Sequence, residues 1–354
     1  MSSRRPGIIS MAKNLYVHFP FCRRKCSYCA LHSRAGSFPE ARRAYIERIA
    51  AAIPNTEFDT VYFGGGSPAL CDLSALAPVI VPRLAEECEF TVELHPLDVS
   101  DRTIDMLLGL GVNRVSMGVQ SLENRILDDM GRGYTAEQAR SAFEKIHAAI
   151  PNAGIDLIIG YPGSDLSLPF LRELDSWHLA HCSVYSLILE ENTILARRLA
   201  HGLTLPDDDE TMNALARVAE HLKSIGLRRY EISNYARPGF ECRHNLAVWN
   251  GEDYYGVGEG AFGRLARFRT ENWWGQEMEV ASTKIYTVDP ETDRRERTIF
   301  RLRTLLGLDS SAYPQWRGTL DKFAAEGLLK RDGTIYRLTA RGTEVCDSIL
   351  AELD

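Results

Sequence analysis

Residues 15–29 read Leu-Tyr-Val-His-Phe-Pro-Phe-Cys-Arg-Arg-Lys-Cys-Ser-Tyr-Cys. The run Leu15 to Phe19 is short, aromatic and β-branched, which predicts a strand. Just beyond its end stand Cys22, Cys26 and Cys29, spaced CxxxCxxC. One strand–helix unit later, Gly64-Gly65-Gly66-Ser67-Pro68 closes a second strand, Thr60 to Phe63. Glycines at a strand end let the backbone approach a ligand closely. Working outward, strands Phe90 to Leu94, Arg114 to Val119, Ile155 to Ile159 and Ser183 to Leu189 complete a set of six. They alternate with helical patterns at Pro39 to Ala52, Leu73 to Glu87, Asp101 to Leu108, Thr135 to Ala149 and Leu166 to Trp177. Asp101 and Thr135 are N-cap candidates. Such alternation predicts an α/β protein: a partial (β/α)6 barrel of the TIM type, with its working residues at the C-terminal ends of the strands.

The 354 residues are 45% hydrophobic and 25% charged, a globular composition that excludes a disordered or collagen-like chain. Forty-one basic residues against 48 acidic ones give a net charge of −7, so no global positive field exists to hold nucleic acid. Ile8 to Ala12 is too short for a signal-peptide core, and no run approaches the ~20 apolar residues of a membrane span. The protein reads as cytoplasmic, where a close cysteine group points to metal or catalysis rather than disulfides. Cys71, Cys88, Cys182, Cys242 and Cys346 are scattered and read as buried small apolar residues.

Residues 1–13 read as an N-terminal tail and 14–205 as the barrel core. Residues 206–290 form an extension, with a helix over Asp207 to Ser224 and an irregular, Gly- and aromatic-rich stretch from Tyr230 to Gly263. A small C-terminal domain, 291–354, places Leu320, Phe323, Ala324 and Leu328 at helical spacing before a turn at Asp332-Gly333 and a strand Thr334 to Leu338. Its outline is winged-helix-like; a small lid packed on the barrel is the plainer reading.

Three thiolates can hold three irons of a 4Fe-4S cube and leave the fourth open to a small molecule. The same spacing also suits zinc, with His32 as a fourth ligand. The GGGSP element favours the cluster, because a structural zinc knuckle has no use for it.

With Tyr28 before the last cysteine and GGGxP one βα unit later, the chain resembles the radical S-adenosylmethionine (SAM) superfamily. Further blocks narrow the resemblance: Tyr16-Val-His18-Phe-Pro20-Phe21-Cys22, Gly111-Val-Asn-Arg114-Val-Ser-Met-Gly118-Val-Gln120-Ser121, Gly131-Arg132, Asp156-Leu-Ile-Ile-Gly160-Tyr-Pro162-Gly163 and Tyr230-Glu-Ile-Ser-Asn234-Tyr235-Ala. Together they are similar to the group of oxygen-independent coproporphyrinogen III oxidases and HemW-like haem chaperones. The resemblance implies that Cys22, Cys26 and Cys29 ligate a 4Fe-4S cluster whose open iron is chelated by SAM. It implies that electron transfer then breaks a carbon–sulfur bond, giving methionine and a 5′-deoxyadenosyl radical. The implied SAM contacts are Tyr16 and Tyr28 beside the cluster, Gly65, Gly66 and Ser67 at the methionine end, Glu93 at the ribose, and Gln120, Arg132 and Asp156 along the cleft. A carboxylate at Glu93 can accept two ribose hydroxyls, and Arg132 can meet the SAM carboxylate.

The oxidases resemble CxxxCxxCxC and carry a long extension before the cluster, whereas here Ala30-Leu31 follow Cys29 and 21 residues precede Cys22. Both departures disfavour coproporphyrinogen decarboxylation and favour the chaperone branch. That branch carries an HNxxYW motif associated with haem; here it reads His244-Asn245-Leu246-Ala247-Val248-Trp249, with Val248 at the tyrosine position. The resemblance implies axial ligation by His244 and packing of Trp249 on the porphyrin. A structural Arg-His-Asn turn is the bland alternative. Tyr134 replaces a histidine usual in the family. The expected function is a chaperone that binds haem or another tetrapyrrole and delivers it to a haem-acceptor protein, including one at a membrane. A reductant such as flavodoxin or ferredoxin, and no nucleic acid, completes the expected partner set. Two alternatives are a radical SAM enzyme, such as a C-methyltransferase or tetrapyrrole-modifying oxidoreductase, and a zinc-held binding module.

Overall fold

A computed structural model describes residues 12–36, 39–274 and 281–353, so the tail through residue 11 lies outside the described residues. At its centre run β1 (Asn14–Phe19), β2 (Phe58–Gly65), β3 (Leu84–Leu94), β4 (Arg114–Gln120), β5 (Ala153–Ile159) and β6 (His181–Ser186). Each lies parallel to the next, giving the expected partial (β/α)6 barrel. Side chains alternate across these strands. Leu15, Val17, Phe19, Val61, Phe63, Phe90 and Val92 face the helices in one fully buried apolar core. The other face turns inward and is polar: Asn14, Tyr16 and His18 on β1, Thr60 and Tyr62 on β2, Thr91 and Glu93 on β3. Arg114 and Ser116 on β4, Asp156 on β5 and His181 and Ser183 on β6 complete that inner face.

The parallel sheet extends past β1. Tyr254–Val257, within the stretch read as irregular, lies parallel to β1 as a seventh strand. Phe262–Leu265, Phe268–Trp274 and Ala281–Thr287 continue from it antiparallel. Four residues next to a glycine-rich turn are too few to display strand alternation. On the opposite edge, Asn234–Ala236 pairs antiparallel with β6.

Leu73 to Glu87 is not one helix. Pro78 and Pro82 withhold backbone donors, so the segment breaks into short turns that end at Arg83, and β3 begins at Leu84. Ser100 rather than Asp101 caps the following helix, its Oγ accepting from Thr103 N at 3.1 Å. Thr135 caps Ala136–Ala149 through a complete capping box with Gln138. The pattern at Leu166 to Trp177 forms a 3-10 segment, Pro169–Trp177. In the C-terminal region, Arg317–Ala325 packs with a three-stranded antiparallel sheet around Leu302, Trp316, Leu320, Phe323 and Tyr336, a small unit of helix and sheet with its own core. No helix among the described residues is long and apolar enough to cross a membrane.

Candidate functional site

The two ends of the barrel differ. Asn14, Thr60, Thr91, Arg114 and His181 form its N-terminal layer and are sealed from solvent. Towards the C-terminal ends, Tyr16, Tyr62, Glu93, Gln120 and Asp156 keep accessible surface. The cysteine loop and the glycine turn sit at this open end because they directly follow β1 and β2.

Cys22, Cys26 and Cys29 are free, partly exposed thiols. The loop between them is pinned where Ser27 N donates to Met130 O at 3.0 Å and the Ser27 and Tyr161 hydroxyls meet at 2.8 Å. Partial burial pushes the Cys22 and Cys29 thiols up, and each feels the neighbouring cysteines. Among the described residues, no three His, Cys, Asp or Glu groups are drawn tightly enough to hold a single metal ion. A four-iron cube is bound at separate corners and spaces its thiolates more widely. His32, the fourth ligand a zinc site would need, instead sets its Nε2 2.6 Å from Glu259 Oε1, and Arg34 joins the same carboxylate at 2.5 Å. No acidic residue lies between Asn14 and Pro39, so the sulfurs have no carboxylate rival on their own segment. The donor set fits a cluster.

The glycine turn is dictated by packing. Gly65 has φ +103°, and a Cβ there would strike the His18 ring; a Cβ on Gly66 would land on the Phe21 carbonyl. Gly66 N instead donates to Phe19 O at 2.7 Å, and Ser67 N to Phe21 O at 2.7 Å, which lays the turn against the cysteine loop. The Ser67 hydroxyl bonds the buried Asp98 carboxylate, which Arg23 Nε also reaches at 2.5 Å. Glu93 is held from both sides: Tyr62 donates its hydroxyl to Oε1 at 2.8 Å and Gly65 N donates to Oε2 at 3.0 Å. Each oxygen keeps a second lone pair, so two further donors can be accepted. Burial, and then the nearby Asp156, push the Glu93 carboxyl up to about 7.

At the end of β4 the ladder shifts register and Gln120 takes φ 72°, a left-handed conformation for a non-glycine residue. The buried Arg132 reaches the same place, with one terminal nitrogen on Gly118 O at 2.5 Å and the other on Cys26 Sγ at 3.3 Å. Asp156 receives the Ser116 hydroxyl at 2.9 Å. Tyr28 packs edge-on to Tyr161, ring centroids 6.5 Å apart. The structure thus gathers Tyr16, Gly65, Gly66, Glu93, Gln120, Arg132 and Asp156 around the open end, beside the cysteines. Tyr62, Asp98 and Ser116, which hold Glu93, Ser67 and Asp156, were missed by the sequence reading, and Tyr134, noted there only as a departure from the family's histidine, holds Arg132. Tyr62 alone carried a signal, two residues before Gly64 on the inward face.

His244 and Trp249 are not brought together. His244 is buried at the sealed end, with Nδ1 2.8 Å from Thr60 Oγ1 and its ring 5.3 Å from that of Tyr62. Its backbone N, and that of Arg243, donate to Glu89 on β3, which caps the Arg243–Trp249 helix from outside. Trp249 sits about 140° around that helix. It packs on Phe300 and lies 4.6 Å under the Arg303 guanidinium. The two side chains thus face different neighbours, His244 the sealed layer of the barrel and Trp249 the Phe300 and Arg303 side chains, as in the structural reading of the motif.

The radical SAM superfamily profile matches residues 16–167, which include the cysteines, the glycine turn, Glu93, Gln120, Arg132 and Asp156. The chain is 35% identical over 277 residues to the haem chaperone HemW of Lactococcus lactis, covering 75% of this chain and 73% of that protein. It is 32% identical over 384 residues to the haem chaperone HemW of Mycobacterium tuberculosis, covering 98% and 97%. The structure of coproporphyrinogen III oxidase HemN from Escherichia coli matches with a TM-score of 0.81 at 19% identity, over 97% of this chain and 90% of that one, a likeness of fold. Barrel and cysteine loop are those of a radical SAM protein, and within that superfamily the chain belongs to the HemW family. That membership implies a 4Fe-4S cluster and SAM.

Proposed function

We propose that the protein holds a 4Fe-4S cluster on Cys22, Cys26 and Cys29, binds SAM across the open end of the barrel, and carries haem to acceptor haemoproteins. The observation that carries the first two parts is the meeting, at one end, of three cysteines, a glycine turn and a lining of Glu93, Gln120, Arg132 and Asp156. When bound, the cluster supplies an open iron for chelation and one electron at a time. Gly65 and Gly66 let the turn lie against the cysteine loop, where the methionine end would sit. Glu93 has lone pairs for the ribose hydroxyls, and Arg132 has a positive charge for the SAM carboxylate.

The haem part is supported by the relatives named haem chaperones and by Ala30-Leu31 where the oxidases resemble a fourth cysteine. It is supported too by a rim of exposed apolar residues at the open end: Leu31, Leu97, Tyr185, Ile188 and Leu189. Such a rim suits a flat apolar cargo. Arg23, Arg24 and Lys25 in the cysteine loop suit an acidic one-electron donor of the flavodoxin or ferredoxin class. Iron and sulfide analysis after anaerobic reconstitution tests the cluster; about four of each per chain is expected, and zinc without sulfide contradicts the proposal.

One observation favours a second reading, a radical SAM enzyme. Carriage of haem alone does not call for the polar lining in which Tyr62 holds Glu93 and Ser116 holds Asp156. Release of 5′-deoxyadenosine under reducing, anaerobic conditions distinguishes the two.

A further inference from the structure

Arg132 is 8% exposed, and among the described residues no carboxylate forms an ion pair with it, although Asp156 lies within electrostatic reach. A buried guanidinium without a counter-charge is costly, so its surroundings should hold one. Its three nitrogens are each engaged. Nε donates to the Tyr134 hydroxyl at 2.9 Å, one terminal nitrogen donates to Gly118 O at 2.5 Å, and the other donates to Cys26 Sγ at 3.3 Å.

Tyr134 fixes this arrangement. It is buried, and its hydroxyl lies 2.9 Å from Gly118 O and 2.8 Å from Val119 O, so its proton goes to the end of β4 while its lone pair takes Arg132 Nε. The Arg132 Cζ is 5.4 Å from the Tyr134 ring centroid. A planar guanidinium clamped at Nε and at one terminal nitrogen has no freedom left for the other. That nitrogen is therefore aimed at the Cys26 sulfur by the tyrosine, which itself touches no cysteine.

We propose that Tyr134 is a positioning residue that locks Arg132 onto the Cys26 sulfur and thereby raises the reduction potential of the cluster. The proposal rests on the reading that Cys22, Cys26 and Cys29 hold a 4Fe-4S cluster. On reduction, the cluster gains one electron from a low-potential one-electron donor, no bond breaks, and no proton moves. A fixed positive hydrogen-bond donor at a ligand sulfur stabilises the more negative, reduced state; hydrogen bonds to sulfur are among the known determinants of such potentials. The thiolate in turn supplies a negative partner in direct contact, which Asp156, within electrostatic reach of Arg132 but making no ion pair with it, does not.

Tyr134→Phe keeps the ring and removes only the hydroxyl. Dithionite titration of the anaerobically reconstituted protein without SAM, followed by electron paramagnetic resonance, reads the midpoint potential directly. The expected result is a more negative midpoint in Tyr134→Phe at unchanged iron and sulfide content. Tyr134→His, whose ring can accept from Arg132 and donate to the β4 carbonyls, is expected to recover part of the shift, and it serves as the second variant if the phenylalanine form does not fold. An unchanged midpoint in a fully loaded variant overturns the proposal alone. Absence of iron and sulfide in the parent protein overturns the cluster reading and this proposal with it.

Discussion

His244 Nδ1 lies 2.8 Å from the Thr60 hydroxyl, in the sealed layer of the barrel and away from the cysteines. Thr60 gives its own proton to Asn14 Oδ1 at 2.8 Å, so the bond between them runs from His244 Nδ1–H to the threonine oxygen. Burial pulls the imidazole down to about 3, so it is neutral at physiological pH. The four residues from Thr60 to Gly64 put about 13 Å of strand between this plug and the glycine turn. His244→Ala is therefore expected to lower stability by about 2–4 kcal/mol through a lost hydrogen bond and a new cavity. The folded fraction should keep its haem affinity within about twofold. Denaturant melts and haem titrations check both; a large loss of haem affinity at unchanged stability would restore His244 as a haem ligand.

Replacing Cys22, Cys26 or Cys29 by Ala is expected to abolish the visible absorption of the reconstituted cluster. Cys71 and Cys346 are buried, with burial pushing both thiols up to about 12, and their replacement should leave that absorption intact. The reverse pattern would refute the ligand assignment.

Glu93 gives SAM binding a pH dependence. Its folded carboxyl titrates near 7, above the ordinary value of 4.5, so the stability it contributes is full below about 4.5 and is lost as pH rises through 7. Acceptance of two hydroxyl hydrogen bonds needs the ionised form, so affinity runs the opposite way and weakens as pH falls. The expected change between pH 8 and pH 6 is up to about tenfold. Calorimetric titration of the wild type and of Glu93→Gln checks this; a variant that keeps the full pH dependence would remove Glu93 from the site.

Two glycines make a contrasting pair. Gly66→Ala drives a methyl into the Phe21 carbonyl and should cost about 3 kcal/mol. It should also disturb the cysteine loop, which the Gly66 amide holds through Phe19 O. Gly318, in the Arg317–Ala325 helix, has open space where its Cβ would lie, and Gly318→Ala should stabilise by roughly 0.5–1 kcal/mol. Thermal melts that rank the two the other way would contradict the packing described for the turn.

Much of this arrangement was legible in the chain. The alternation of Leu15, Val17 and Phe19 with polar neighbours marks β1, and CxxxCxxC directly after it sets the cysteines at a strand end, where barrels do their chemistry. What could not be read depends on partners far apart in sequence. His244 is placed by Glu89, 155 residues earlier, whose carboxylate captures the start of its helix; a local motif cannot report that. The strand Tyr254–Val257 is defined by its register against β1 rather than by its own pattern. Tyr134 gains its meaning only when Arg132 and the end of β4 are seen together.

The most direct test of the central claim is a haem titration of the anaerobically reconstituted protein followed by visible absorption. The expected result is saturable uptake with a shifted Soret band by protein whose cluster absorption is intact. Fully loaded protein that takes up no haem would contradict it.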